Sequence, residues 1–171
     1  METEKKTLTI RNAIQYDLGR CFEIETLCYH GHGATRERIE RRIASYPEGF
    51  LVGVWAGSVI GFVNSGCFLV DDIRDEKLKD LDGHDPAGEN LVIFSVAVHP
   101  DYQERGFAHQ LMSGFIDTAR SLGKESILLV CRENLMRFYR SFGFAYRAPS
   151  ALSFGGHVWF EMALPLSSAS L

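Results

Sequence analysis

The segment Val96-Ala97-Val98-His99-Pro100-Asp101-Tyr102-Gln103-Glu104-Arg105-Gly106-Phe107-Ala108 carries the most chemical information in the chain. An apolar, β-rich run ends, Pro100 breaks its pairing, and a glycine-containing turn leads into a stretch with helical spacing. The first backbone N–H groups of a helix lack partners within it. Together with the helix dipole they form an anion site suited to a pyrophosphate. Gly106 would let the backbone approach such a ligand, Ala108 would keep the helix start narrow, and Arg105 could add charge. Taken alone, a Gly-x-Ala at a helix start also fits a purely structural turn.

The elements that must position this turn read as follows. Leu8 to Arg11 alternates like a strand, and Asp17 is placed to cap a helix running toward Cys28. Tyr29-His30-Gly31-His32-Gly33 must be a loop, and Thr35 can cap a second helix through Ala44. Phe50 to Trp55 and Val59 to Phe68 form a hairpin through Ala56-Gly57-Ser58. Leu91 to Val98 is apolar on both faces, as a central strand is. Ala108, Leu111, Met112, Phe115, Ile116 and Ala119 give Phe107 to Leu122 a helical period, with Gly123 as its stop. A strand over Ser126 to Cys131, a short helix over Leu135 to Phe142, and a last strand over Val158 to Leu164 complete the order. The sum is one α/β domain over residues 1–171, a mixed sheet with helices on both faces.

Composition sets limits. The net charge of −4 argues against a nucleic-acid binder. No apolar stretch is long enough to cross a bilayer. Met1 to Lys6 is polar with no signal-peptide core behind it, so a cytoplasmic location is the default. Cys21, Cys28, Cys67 and Cys131 lack paired or zinc-type spacing and read as reduced thiols, with no metal site. From Asp71 to Asn90, eight acidic residues face three basic ones, a local net charge of −5. That insert could attract a cationic substrate, or simply form a solvated loop or surface helix.

About thirty residues after the turn comes Arg137-Phe138-Tyr139-Arg140-Ser141-Phe142-Gly143-Phe144. Here the chain resembles the GNAT superfamily of N-acetyltransferases. Gln103-x-x-Gly106-x-Ala108 matches its pyrophosphate-binding segment, and Phe138-Tyr139-x-x-x-Gly143-Phe144 matches its late helix and following strand. The paired motifs cover roughly residues 91 to 145. The resemblance implies a mainly antiparallel sheet that splays between two parallel strands, with acetyl-CoA as co-substrate. Backbone groups of Val96, Ala97 and Val98 would lie along the pantetheine arm, and the turn Gln103, Glu104, Arg105, Gly106, Phe107 and Ala108 would hold the pyrophosphate. Tyr139 would protonate the departing thiolate, a role suited to a phenol of pKa about 10. Many relatives carry Asn seven residues before that tyrosine; Arg132 stands there, with Asn134 two positions on, so that role is not transferred.

Within the superfamily the acidic insert, Cys131 to Phe144, and Phe160-Glu161-Met162 are similar to the arylalkylamine (serotonin-type) N-acetyltransferases. The two strand histidines of the animal enzymes fall on Val92 and Phe94, which cannot relay a proton. The acceptor amine still has to lose a proton before it attacks. Glu25, His30, His32, Ser95 and His157 are the candidate bases, each equally readable as a surface or locally bonded residue, while His99 reads as structural. Cys131 could be a nucleophile, or a buried thiol; Phe22, Tyr29, Phe68 and Trp159 could line an aromatic pocket, or the core. The expected reaction is direct acetyl transfer to a small primary amine, arylalkylamine or polyamine-like, by a monomer or homodimer. Alternatives are a protein or peptide acceptor, and a non-catalytic acyl-CoA-binding module.

Overall fold

The computed structural model describes residues 6–151 and 156–166, so most of Met1 to Lys6 lies outside the described residues. Seven strands form one sheet in the order β1-β2-β3-β4-β5-β7-β6. They are β1 Thr9–Asn12, β2 Phe50–Trp55, β3 Ser58–Phe68, β4 Asn90–Val98, β5 Ser126–Cys131, β6 Ala145–Pro149 and β7 Phe160–Pro165. Only β4 and β5 are parallel; every other neighbouring pair is antiparallel. The helices are α1 Leu18–Tyr29, α2 Arg36–Ser45, α3 Phe107–Ser121 and α4 Glu133–Arg140. Among the described residues no helix is long and apolar enough to cross a membrane.

Each face of the sheet is covered by its own apolar cluster. Cys21 and Ile24 of α1 and Ile39 and Ile43 of α2 pack on Phe50, Val52, Phe62 and Ala97. On the opposite face Leu111, Met112 and Phe115 of α3 and Tyr139 of α4 pack on Leu51, Val63, Ile93 and Leu129. The β2–β3 turn is Ala56-Gly57, both at positive φ (48° and 82°), the geometry whose twist matches a two-residue hairpin. Thr35 Oγ1 caps α2 by accepting from Arg38 N at 3.2 Å. Asp17 occupies the α1 cap position without a capping bond. Its carboxylate instead accepts two bonds from the Arg11 guanidinium, at 2.7 and 2.9 Å, and one from Ile14 N at 2.9 Å.

Three expectations shift. The last helix starts at Glu133 and ends at Arg140, two residues earlier at each end than its apolar pattern indicates. The last strand begins at Phe160, because Val158 is exposed and unpaired in the sheet. Edge strand β6 was implied only by the resemblance at Gly143-Phe144: its residues are almost all exposed, so no burial alternation marks it in the sequence.

Candidate active site

The central strands separate halfway along. β4 and β5 pair only at Asn90–Ser126, Leu91–Ile127 and Val92–Leu128, although the strands continue to Val98 and Cys131. The break coincides with a β-bulge. On β3, Asn64 faces Ser95 and Ser65 faces Ile93, so Phe94 is the extra residue and β4 bends there. Beyond the bulge His99 N donates to Ile60 O at 2.7 Å. Antiparallel alternation then makes Ala97 and Phe62 a bonded pair and turns the backbone of Val96 and Val98 away from β3, toward the gap. Their carbonyls are engaged: Tyr29 Oη donates to Val96 O at 3.1 Å, while Gln103 Nε2 and Cys28 Sγ donate to Val98 O at 2.9 and 3.1 Å. Their amide hydrogens remain as the strand-like donors on the gap side.

The turn after β4 delivers the start of α3. Gly106 is its N-cap at φ 80°, with no side-chain capping bond. Gln110 N returns to Gly106 O at 3.1 Å, so the N–H groups of Phe107, Ala108 and His109 open the helix tip. A Cβ on Gly106 would touch nothing within 4 Å, so glycine is required by backbone angle rather than by crowding within the protein. Glu104 also adopts positive φ, 61°, which disfavours a side-chain-bearing residue by about 1 kcal/mol or more. Arg105 is exposed with its guanidinium 5.4 Å from the Tyr102 ring. Buried Phe107 packs at 5.0 Å on Trp55 and pins the helix start. His99 Nδ1 accepts from Asp101 N at 3.1 Å, the structural role foreseen for it.

A cavity of about 580 Å³ opens between α1, the bulged part of β4, the end of β5, and the acidic insert. Of the residues singled out from the sequence, Val96, Tyr139, Glu25, His30, His32, Ser95 and His157 line it. Ala97, Val98, Gln103, Glu104, Arg105, Gly106, Phe107 and Ala108 do not; they form the strand end and turn outside its lining. Gln103 ties that turn to β4, and Ala97 is buried in the α1–α2 apolar cluster. Tyr29 and Trp159 contribute aromatic wall; Phe22 and Phe68 belong to the core clusters. Val92 and Phe94 both line the cavity, so its central strand offers apolar surface.

Tyr139 is buried, edge-on to Phe138 at 5.1 Å and to Phe144 at 5.7 Å. Burial, with a smaller contribution from Cys131, raises its pKa, so it is a proton-bearing phenol at neutral pH. Burial also pushes the Cys131 thiol up to about 11, and its Sγ lies 3.5 Å from Met162 Sδ. Such a group is a poor nucleophile.

Glu25 is 1% exposed. Its Oε1 accepts from Ala34 N and from Ser95 Oγ, both at 2.9 Å, while its Oε2 has no hydrogen-bond partner. Burial raises its pKa against the lowering effect of those two bonds. The loop after α1 closes on it: a Cβ on Gly33 would come within 2.8 Å of Glu25 Cγ. Ser95 is therefore the residue that holds Glu25. His30, His32 and His157 stand exposed at the rim.

Two lining residues escaped the sequence reading. Arg42 is 2% exposed, on the buried face of α2 with Ile39 and Ile43. Its guanidinium donates to Lys79 O at 3.0 Å and Asn64 Oδ1 at 3.3 Å, and lies 4.5 Å from the centre of the Phe94 ring. Burial lowers its pKa to about 10, which still leaves it charged at neutral pH. Lys79 is brought down to about 8, by burial first and then by Arg42 and Arg38. The signal for Arg42 was a charged residue at i+3 on an apolar helix face; Lys79 carried none.

The insert holding Lys79 is a wall of this cavity, through Ile73, Leu78 and a 3-10 turn over Glu76–Asp80. Much of its acidity is matched locally. Asp80 accepts two bonds from Arg38 at 2.8 and 3.2 Å, Asp72 pairs with Arg74 at 2.7 Å, and Asp71 with Arg147 at 3.4 Å. Asp75 and Asp85 accept from backbone N–H groups two residues on.

Residues 18–144 match the model of the Acetyltransferase (GNAT) family. The chain is 27% identical over 133 residues to the probable hydrolase YhcX of Bacillus subtilis, a match covering 73% of this chain but only 26% of that protein's length. The fold is similar to the loading GNATL domain of CurA from Lyngbya majuscula, with a TM-score of 0.85 at 17% identity, covering 94% of this chain and 98% of that domain. It is also similar to yncA, a putative acetyltransferase from Salmonella typhimurium solved with acetyl-CoA, with a TM-score of 0.69 at 24% identity, covering 96% and 97% of the two chains.

Proposed function

Because this chain belongs to the Acetyltransferase (GNAT) family and is an acyltransferase drawing on acetyl-CoA, we propose that it passes the acetyl group directly to a small primary amine, with Glu25 as base and Tyr139 as acid. The single observation that carries this reading is their placement. A buried carboxylate with an unpartnered oxygen and a buried phenol line one cavity at the parted strands. Tyr29 lines the same cavity, its hydroxyl donated to Val96 O at 3.1 Å and its pKa raised by burial first and then by Glu25.

The residues fit the co-substrate. The gap-side amides of Val96 and Val98 would pair with the pantetheine arm as an added strand, while Ala97 keeps β4 in register with β3. The open N–H groups after Gly106 would take the pyrophosphate, with Arg105 beside them. Glu25 removes a proton from the incoming ammonium, and the freed nitrogen forms the new C–N bond at the thioester carbonyl. A gap-side N–H steadies the oxygen that gains charge there. As the C–S bond breaks, Tyr139 gives its proton to the sulfur, and the second proton leaving the attacking nitrogen restores the Tyr139 phenol. The high pKa of Cys131 supports direct transfer over an acyl-enzyme. The walls formed by Tyr29, Phe94 and Trp159 suit an arylalkyl amine better than a polyamine, whose second cation would meet Arg42.

The test is turnover of acetyl-CoA with arylalkylamines, amino acids, polyamines and peptides, following free thiol and N-acetyl product together. One-to-one release is expected, and Tyr139→Phe should lower kcat by about 10²–10⁴-fold with the KM for acetyl-CoA unchanged. Tight binding of acetyl-CoA without acetylation of any amine would refute the proposal.

A further inference from the structure

We infer that the acceptor carries a carboxylate next to its amine, and that Arg42 and Lys79 form the subsite that receives it. This rests on reading the cavity as the acceptor site. Burying a guanidinium is unfavourable unless an anion or a full set of acceptors compensates. Arg42 meets only neutral partners at bonding distance, an amide oxygen, a carbonyl and the Phe94 ring, and its Nε has no hydrogen-bond partner. Lys79 lines the same part of the cavity, its carbonyl accepting from Arg42 and its pKa lowered in part by the Arg42 charge.

Across the same cavity Glu25 Oε2 is likewise buried without a hydrogen-bond partner. Each of the two groups feels the other's charge, yet no hydrogen bond joins them. A zwitterion satisfies both at once, with its ammonium toward Glu25 and its carboxylate toward Arg42 and Lys79. Of the other cations of the lining, Arg132 is exposed. Arg38 is paired with Asp80, and Asp75 and Glu76 sit exposed at the mouth. The class of acceptor is therefore an amino acid rather than its decarboxylated amine.

The same anion could arrive on the acyl group of a dicarboxylic thioester, so the experiment has two arms. In the first, calorimetry on the CoA-loaded protein compares matched pairs: phenylalanine with phenethylamine, leucine with isopentylamine, and alanine with ethylamine. At least one amino acid should bind about tenfold or more tightly than its partner amine, the scale of one hydrogen bond to a charged group. Lys79→Met should remove most of that preference, and Arg42→Lys should weaken it even where the fold is retained, as checked by circular dichroism. Equal or tighter binding of every decarboxylated amine would overturn the inference. So would a preference unchanged in both variants. In the second arm, malonyl-CoA binding more tightly than acetyl-CoA in a Lys79-dependent manner would place the anion on the donor and overturn the assignment to the acceptor. An amino-acid preference without any acetylation would leave the subsite standing and refute the transfer reaction instead.

Discussion

Under the proposed assignment, the donor strip, which lies outside the cavity's lining except at Val96, and the acceptor cavity are made of different material. The donor end is backbone: two strand amides released by a bulge at Phe94, and a helix tip opened by a glycine at φ 80°. The acceptor end is side chain: Glu25 from α1, Arg42 from α2, Phe94 from β4 and Lys79 from the insert. Backbone donors depend on chain geometry and tolerate many residue types, whereas a side-chain site changes with each substitution. The donor end can therefore stay constant while the acceptor end is altered independently.

That contrast can be broken most severely at Glu25. Glu25→Gln should keep the bonds from Ala34 N and Ser95 Oγ, retain acetyl-CoA affinity, and lower kcat/KM by about 10²–10⁴-fold. In the wild type the acid limb of kcat/KM should follow Glu25, with activity rising as pH climbs through its raised pKa. Stability runs the other way. A folded pKa above the unfolded one means that the stabilisation is complete below the unfolded value and is lost as pH rises through the folded value. The melting temperature of Glu25→Gln should therefore gain on the wild type as pH rises from the ordinary carboxylate range through the raised folded value. An equal loss of acetyl-CoA binding in this variant would show that the two ends are not separable.

A smaller effect is expected at the donor end. Gly106→Val forces a branched residue to φ 80°, disfavoured by about 1–2 kcal/mol, and should weaken CoA binding about tenfold with the amine KM unchanged. Unchanged CoA affinity, measured by calorimetry, would remove the helix tip from the site. The smallest effect is expected at the insert. Asp80→Asn loses a half-exposed pair with Arg38, within about 1 kcal/mol of stability, and should raise the amine KM a few-fold while sparing acetyl-CoA.

The same division explains what could be read in advance. Pro100, Gly106 and the glycine closing α4 punctuate the chain in ways set by backbone angles, so the turn, its helix and Tyr139 were visible as residue types at a spacing. The bulge was not, because it arises from the register of β4 against β3 rather than from any local signal. Glu25, Arg42 and Lys79 lie far apart in sequence and meet only through tertiary packing. Glu25 could be named among five candidates but not chosen, since the burial and loop cover that favour it arise only in the fold. Lys79 sat in an insert whose charge suggested attraction of a cation, whereas most of its acids are engaged by arginines and backbone amides and its lysine lines the wall.

Direct transfer requires both substrates in the cavity at once, and initial rates measured over a grid of acetyl-CoA and acceptor concentrations test that most simply. Intersecting double-reciprocal lines, with no acetyl label retained on protein mixed with acetyl-CoA alone, are the predicted result. Parallel lines, with one acetyl group per chain carried on Cys131, would contradict it.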